Sequence, residues 1–283
     1  MSPMRYAIIS DVHANMEALT AVLQKIEAEG INRIVCLGDV VGYHADPNEC
    51  IEVIRERKIL CIAGNHDRAA TGLKEPIRFG QAGKRAIYWT RGQLTTESKQ
   101  FLESLPLTAL VNDGGFLMVH ASLDPEPNEE IYLYSEGQAR TNFQRFRALW
   151  PETNVCFFGH THRPMGFEFR DERVEELDPP RIRLRTGASY LINPGSVGQP
   201  RDSDPRASFL IFDSDRQLVQ FHRVLFDTNA CYRKTEQAGL IYQESFLSRS
   251  ENLVQRWLEV GKRLRKRIRC VRKSWRGAGG TDT

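Results

Sequence analysis

The stretch Val155-Cys-Phe-Phe-Gly-His-Thr-His-Arg-Pro164 runs four apolar residues straight into two histidines separated by one threonine. The apolar half recurs elsewhere in the chain. Tyr6-Ala-Ile-Ile9, Ile34-Val-Cys-Leu37, Leu60-Cys-Ile-Ala63, Phe116-Leu-Met-Val119 and Tyr190-Leu-Ile-Asn193 share its length and its β-branched, aromatic or sulfur-bearing character. Runs of this kind suit strands covered on both faces. Each run gives way to small or polar residues: Ser10-Asp-Val-His13, Gly38-Asp39, Gly64-Asn-His-Asp67, His120-Ala-Ser122, Gly159-His-Thr-His162 and Asn193-Pro-Gly-Ser196. Sheets built this way carry their functional groups on loops beyond the strand ends, so these residues are expected to gather along one rim.

Between the first strands the apolar spacing turns helical. Asn15 caps a helix to about Glu29 that carries Leu19, Val22, Leu23 and Ile26, and Pro47 opens a second with Cys50, Ile51 and Ile54 facing inward. Two more are expected between Ile77 and Ser104, the later one capped at Thr95 or Thr96, and another from Ser135 to Leu149. After Pro164 the texture alternates as strands do, ending in a hairpin of Ala207–Asp213 and Gln217–Arg223. The acidic patch from Asp171 to Asp178 reads as an exposed loop. In 283 residues of 41% hydrophobic content there is no apolar run of membrane-span length and no signal-peptide pattern, which points to the cytoplasm. The six cysteines form no C-x-x-C pair and read as reduced thiols.

The rim collects Asp11, His13, Asp39, Asn65, His66, Asp67, His120, His160 and His162, which include five of the seven histidines. Any one of them has an ordinary structural explanation as a cap, a turn former or a buried histidine with one partner. Five separate strand ends sharing the pattern do not. Imidazoles and carboxylates without thiolate suit divalent manganese, iron, zinc or nickel. Two such ions roughly 3.5 to 4 Å apart need a shared anion, a part that Asp39 can fill.

In this order the blocks Asp11-Val-His13, Gly38-Asp39, Gly64-Asn-His-Asp67, His120 and Gly159-His-Thr-His162 resemble the signature of the calcineurin-like metallophosphoesterases. The text around them, including Asn193-Pro-Gly-Ser-Val-Gly-Gln-Pro-Arg201, is similar to a bacterial branch of single-domain members. The resemblance implies an α/β fold, a four-layer α/β/β/α sandwich of two packed mixed sheets. It implies two divalent metal ions, manganese first, one on Asp11, His13 and His162 and the other on Asn65, His120 and His160, with Asp39 bridging and His66 as general acid. The reaction it implies is hydrolysis of a phosphodiester or small organic phosphate by a metal-bridged hydroxide. A protein serine/threonine phosphatase and a non-catalytic binding scaffold of the same fold are the alternatives. His44, Arg163 and Arg201 flank the expected site as candidates for contact with the phosphate-ester substrate.

A catalytic domain is expected over 1–226 and a helical, basic extension over 227–283. From Gly261 to Arg276 there are nine Lys or Arg and no acid. Leu253, Trp257, Val260, Leu264, Ile268, Val271 and Trp275 fall three or four apart, on one face of a helix. Such a face either docks on the catalytic domain or binds an anionic membrane surface or nucleic acid; no obligate protein partner is inferred. Removing residues 261–283 is expected to preserve hydrolysis of a small ester and abolish salt-sensitive binding to anionic vesicles or polynucleotides, measured by co-sedimentation and gel shift. Failure of the full chain to bind either at low salt rejects the idea, and an insoluble truncation points to the docked helix.

Overall fold

Within the run Val155–Phe158, Val155 and Phe157 join one hydrophobic cluster, and Cys156 and Phe158 another. That period of two, with both faces apolar, builds the molecule. A computed structural model of the chain describes residues 4–126 and 130–240. Two six-stranded mixed sheets pack face to face. In the first, β1 (Arg5–Ile9), β2 (Arg33–Cys36) and β3 (Leu60–Cys61) run parallel. β11 (Ala207–Asp213) pairs antiparallel with β1, and β12 (Leu218–Val224) and β9 (Arg181–Arg183) complete that sheet. In the second, β5 (Phe116–Val119), β6 (Val155–Phe157) and β10 (Ser189–Pro194) are parallel. β4 (Thr108–Val111) flanks β5, and β7 (Pro164–Arg170) and β8 (Arg173–Leu177) flank β10.

Three cores separate four layers. Ala7 and Ile9 of β1 turn outward to Leu19, Val22 and Ile26 of α1 (Met16–Ala28) and to Ile51 and Ile54 of α2 (Pro47–Glu56). α3 (Asn65–Thr71), α4 (Gln81–Gln93) and α5 (Thr96–Ser104) add Ala69, Ile87 and Leu102 to the same core. Tyr6 and Ile8 turn inward, where Phe116, Phe157 and Phe212 meet edge to face between the sheets. On the far side Phe143 and Phe146 of α6 (Glu136–Leu149) cover Cys156, Phe158 and Phe167. The expected caps are in place: Asn15, Thr95 and Ser135 each accept the backbone N–H three residues on.

Asp171 to Asp178 is not the expected loop. Asp171 and Glu172 both take positive φ, 50° and 58°, and turn the chain tightly into β8. Val174 is buried under α6 while Glu175 and Glu176 face out, charges that protect a sheet edge. β4 and α3 complete the elements beyond those expected from sequence, and α7 (Thr228–Gln237) lies where the helical extension is expected to begin. The first compact unit runs to Leu240, and α7, just past the expected boundary at 226, packs on α1. The helix expected from Leu253 lies outside the described residues. Among those described, no helix is long and apolar enough to cross a membrane, and Cys36, Cys50, Cys61, Cys156 and Cys231 are free and buried.

Phe157→Ala would open a void between the sheets, and is expected to cost about 3–5 kcal/mol of stability in urea unfolding. A loss below about 1 kcal/mol would mean that the sheets close over the gap.

Candidate metal centre

The parallel strands of each sheet end on one side, and their hydrogen bonding continues into the loops. Asp11 N–H donates to Gly38 O at 3.0 Å, His13 N–H to Asp39 O at 2.9 Å, and Gly159 N–H to His120 O at 2.9 Å. Asp11, His13, Asp39, His160 and His162 all lie in the left-handed region, with φ between 52° and 66°. Asp and His tolerate that region better than most residues, yet five instances in one place mark strain held by the surrounding structure. Two glycines let the loops close. A Cβ on Gly64 would fall 2.0 Å from Asp39 Oδ1, and one on Gly159 would fall 2.1 Å from Ser10 Oγ and 2.9 Å from Asp11 Oδ2. The second contact is where the two sheets' rims touch, and there His160 N–H donates to Asp11 at 3.2 Å.

Three imidazoles are oriented by carbonyl oxygens. Nδ1 of His13 faces Val41 O at 3.1 Å, that of His120 faces Leu37 O at 2.8 Å, and that of His162 faces Gln199 O at 2.6 Å. A carbonyl only accepts, so each Nδ1 carries the proton and each Nε2 of a neutral ring presents a lone pair, the arrangement typical of metal-bound histidine. Nε2 of His13 and of His162 lie 3.0 Å apart. His120 Nε2 is 3.0 Å from Asn65 Oδ1 and 3.3 Å from Asp39 Oδ2. Ligand atoms of Asp11, His13 and His162 fall within 4.8 Å of one another, as do those of Asp39, His120 and His160. His160 Nε2 is buried without a hydrogen-bond partner.

The charges agree with a cation site. Burial acts against ionised Asp11 and Asp39, yet His162 beside the first and His120 beside the second hold both carboxyls below their usual range. Burial lowers His120 too, but Asp39 outweighs it and raises the imidazole to about 10. Burial takes His160 down to about 3 and His13 well below its ordinary value. Lone pairs converging on two buried carboxylates fit one or more divalent ions, and the absence of thiolate from this set fits borderline or hard ones.

His66 and His13 also reach Asp39 within 4.8 Å. The His66 ring lies between Tyr43, 4.7 Å away, and Phe79, 4.5 Å away, and its backbone N–H donates to Asp39 Oδ1 at 2.8 Å. Burial lowers it to about 4 although Asp39 pulls the other way. Asp67 joins the two loops by accepting from Val41 N–H at 3.1 Å and Gly64 N–H at 2.9 Å. Arg201 and Arg163 stand at the mouth, Arg163 Nε donating to Arg201 O at 3.1 Å. His44 does not join them. Its ring turns to α7, with Nδ1 3.1 Å from Thr235 Oγ1 and 3.4 Å from Cys231 Sγ, because the left-handed Tyr43 before it takes the place beside the histidines.

Four aromatic residues at the mouth are not among the site residues expected from sequence. Tyr43 and Phe79 clasp His66, while Tyr132 stacks on His160 at 4.5 Å and on Tyr134 at 5.4 Å. Tyr43 lies just beyond the Gly38-Asp39 block, but nothing local marks Tyr132 or Tyr134, which come from a segment without regular structure.

The calcineurin-like phosphoesterase superfamily domain matches residues 4–217. An uncharacterised protein of Methanocaldococcus jannaschii is 40% identical over 228 residues, which span 81% of this chain and 90% of that protein. The metallophosphoesterase from Sphaerobacter thermophilus superposes with a TM-score of 0.72 at 39% identity, covering 88% of this chain and 98% of its own. A hypothetical protein from Pyrococcus horikoshii shares the fold at a TM-score of 0.68 and 20% identity, over 84% of this chain and 95% of its own. The match takes in every histidine of the centre, and the chain belongs to the calcineurin-like phosphoesterase superfamily.

Proposed function

We propose that the chain hydrolyses phosphoric esters with two divalent ions, one held by Asp11, His13 and His162, the other by Asn65, His120 and His160, and Asp39 shared between them. The observation that carries this reading is the pair of Nε2 atoms of His13 and His162, 3.0 Å apart, each ring with its Nδ1 against a carbonyl. Two lone pairs so placed repel unless a cation, a proton or a metal ion, lies between them, and the carboxylates of Asp11 and Asp39 beside them favour the metal ion. His160 Nε2, buried without a hydrogen-bond partner, makes the same demand. Bound here, divalent ions would supply a nucleophile from water at neutral pH and offset the phosphoryl charge. Manganese is our first choice, with iron, zinc or nickel suited to the same donors. The free, buried cysteines support a reducing, cytoplasmic setting.

The protein's own groups do the rest. Backbone carbonyls fix the histidine tautomers, and Asp67 holds the loops of Asp39 and Asn65 together. Arg201 and Arg163 bring guanidinium donors to phosphoryl oxygens. His66, clasped between two rings, gives its proton to the departing oxygen. Burial favours its neutral form, and an arriving phosphoryl anion opposes that by stabilising the charged donor. The substrate is a phosphodiester or a small organic phosphate.

Elemental analysis after reconstitution should find two ions per chain. Asp39→Asn should weaken both sites together and His13→Ala chiefly one; a single ion in the reconstituted wild type contradicts the shared-carboxylate arrangement. His66→Ala should keep its ions and lose about 10²- to 10⁴-fold in rate on alkyl esters, with a much smaller loss on a nitrophenyl ester whose leaving group needs no proton. Equal losses on both, or loss of metal, would remove His66 from the acid role.

A further inference from the structure

Arg201 is a half-buried cation held by phenols. Its Nη1 donates to Tyr132 Oη at 3.2 Å and its Nη2 to Tyr43 Oη at 3.1 Å, and its backbone N–H donates to His162 O at 3.2 Å. Among the described residues no carboxylate comes within ion-pair distance of it, whereas Arg206 and Arg223 nearby in sequence are each paired with aspartates. A buried guanidinium is ordinarily matched by an anion of the protein. Here the matching groups are neutral, and their chemistry is informative. Each phenol oxygen accepts from Arg201, so each phenol proton points elsewhere, and among the described residues neither meets another acceptor. One cation and two hydroxyl donors with no acceptor of their own form a cup for an anionic oxygen.

The cup is tied to the centre through rings. Tyr132 lies flat on His160, the rings 17° apart with centroids 4.5 Å apart, and Tyr43 meets His13 edge to face at 4.7 Å. Tyr134 stacks on Tyr132 with ring centroids 5.4 Å apart, and Arg163 lies over Tyr134 at 5.5 Å. Tyr132 stays 40% exposed at the mouth. What it presents toward Arg201 is the hydroxyl edge.

We infer that Arg201, Tyr43 and Tyr132 form a subsite for a third anionic oxygen of the substrate, and that the preferred substrates are therefore phosphomonoesters or phosphoanhydrides rather than simple diesters. This rests on the proposed hydrolase function and narrows it. A dialkyl diester carries one negative charge over two non-bridging oxygens. A monoester adds a third oxygen on the same phosphorus, and an anhydride adds one on the next. Tyr43 and Tyr132 are positioning residues for Arg201 as well as donors in their own right.

The test is calorimetric titration of the full-length protein, ion-loaded and chelator-treated, with orthophosphate, pyrophosphate and dimethyl phosphate, alongside elemental analysis of every variant. Arg201→Met should weaken orthophosphate or pyrophosphate by about tenfold or more, and dimethyl phosphate by less than about threefold. Arg201→Lys, which keeps the charge and loses the fork, should fall between. Tyr132→Phe and Tyr43→Phe should each cost about threefold on the same ligand with metal content unchanged. A larger loss for pyrophosphate assigns the third oxygen to an anhydride, and a larger loss for orthophosphate to a monoester. Equal weakening of dimethyl phosphate, or no effect of Arg201→Met on any ligand, overturns the subsite. Loss of metal in Tyr132→Phe would reduce Tyr132 to a prop for His160. If the wild type binds no ions and cleaves no ester, the hydrolase reading fails by itself, while Arg201-dependent phosphate binding by the chelator-treated protein still reports on the cup.

Discussion

The Asp39 carboxylate is the contact on which the centre depends. One oxygen accepts the backbone N–H of His66, which fixes the start of α3, and the other faces the Nε2 of His120 from the opposite sheet. A carboxylate this deeply buried stays ionised only because imidazoles surround it, and those imidazoles are held in place by carbonyls of the loop that carries it and of the strand end before it. Charge and backbone geometry therefore support each other. The left-handed residues on the rim are tolerated because the loops have hydrogen-bonding partners only in that arrangement.

Much of this was legible in the residues. Where a segment answers to a local rule, the sequence and the structure agree: Asn15, Thr95 and Ser135 cap helices because their side chains reach the next turn, and the six apolar runs become strands because both their faces meet a core. The metal-site candidates were legible for the same reason, since a residue that directly follows a strand has a predictable position on the rim. The illegible parts depend on partners remote in sequence. Asp171-Glu172 turns tightly without the glycine that usually announces such a turn, and β8 is an edge strand whose charges resemble those of a loop. His44 sits next to the rim in sequence, yet one left-handed residue sends its ring to a helix nearly two hundred positions away.

The mouth shows the same limit from the other side. Tyr43, Phe79, Tyr132 and Tyr134 converge from three separate loops on histidines that a motif can identify. A motif can specify the chemistry performed on phosphorus because that chemistry needs fixed ligands at fixed strand ends. The surroundings of the rest of a substrate are decided by segments whose relation to the centre exists only after folding.

The candidate donors of the centre come from both sheets, Asp11, His13 and Asp39 from one and His120, His160 and His162 from the other, with the Phe116, Phe157 and Phe212 cluster between the layers behind them. The spacing of the two donor halves is therefore set by how the aromatic filling seats one sheet on the other, as shims set the gap between two plates. Because metal coordination tolerates only a few tenths of an ångström, ion affinity becomes a gauge of that filling. A small change of volume deep between the sheets would register there while the fold as a whole still held.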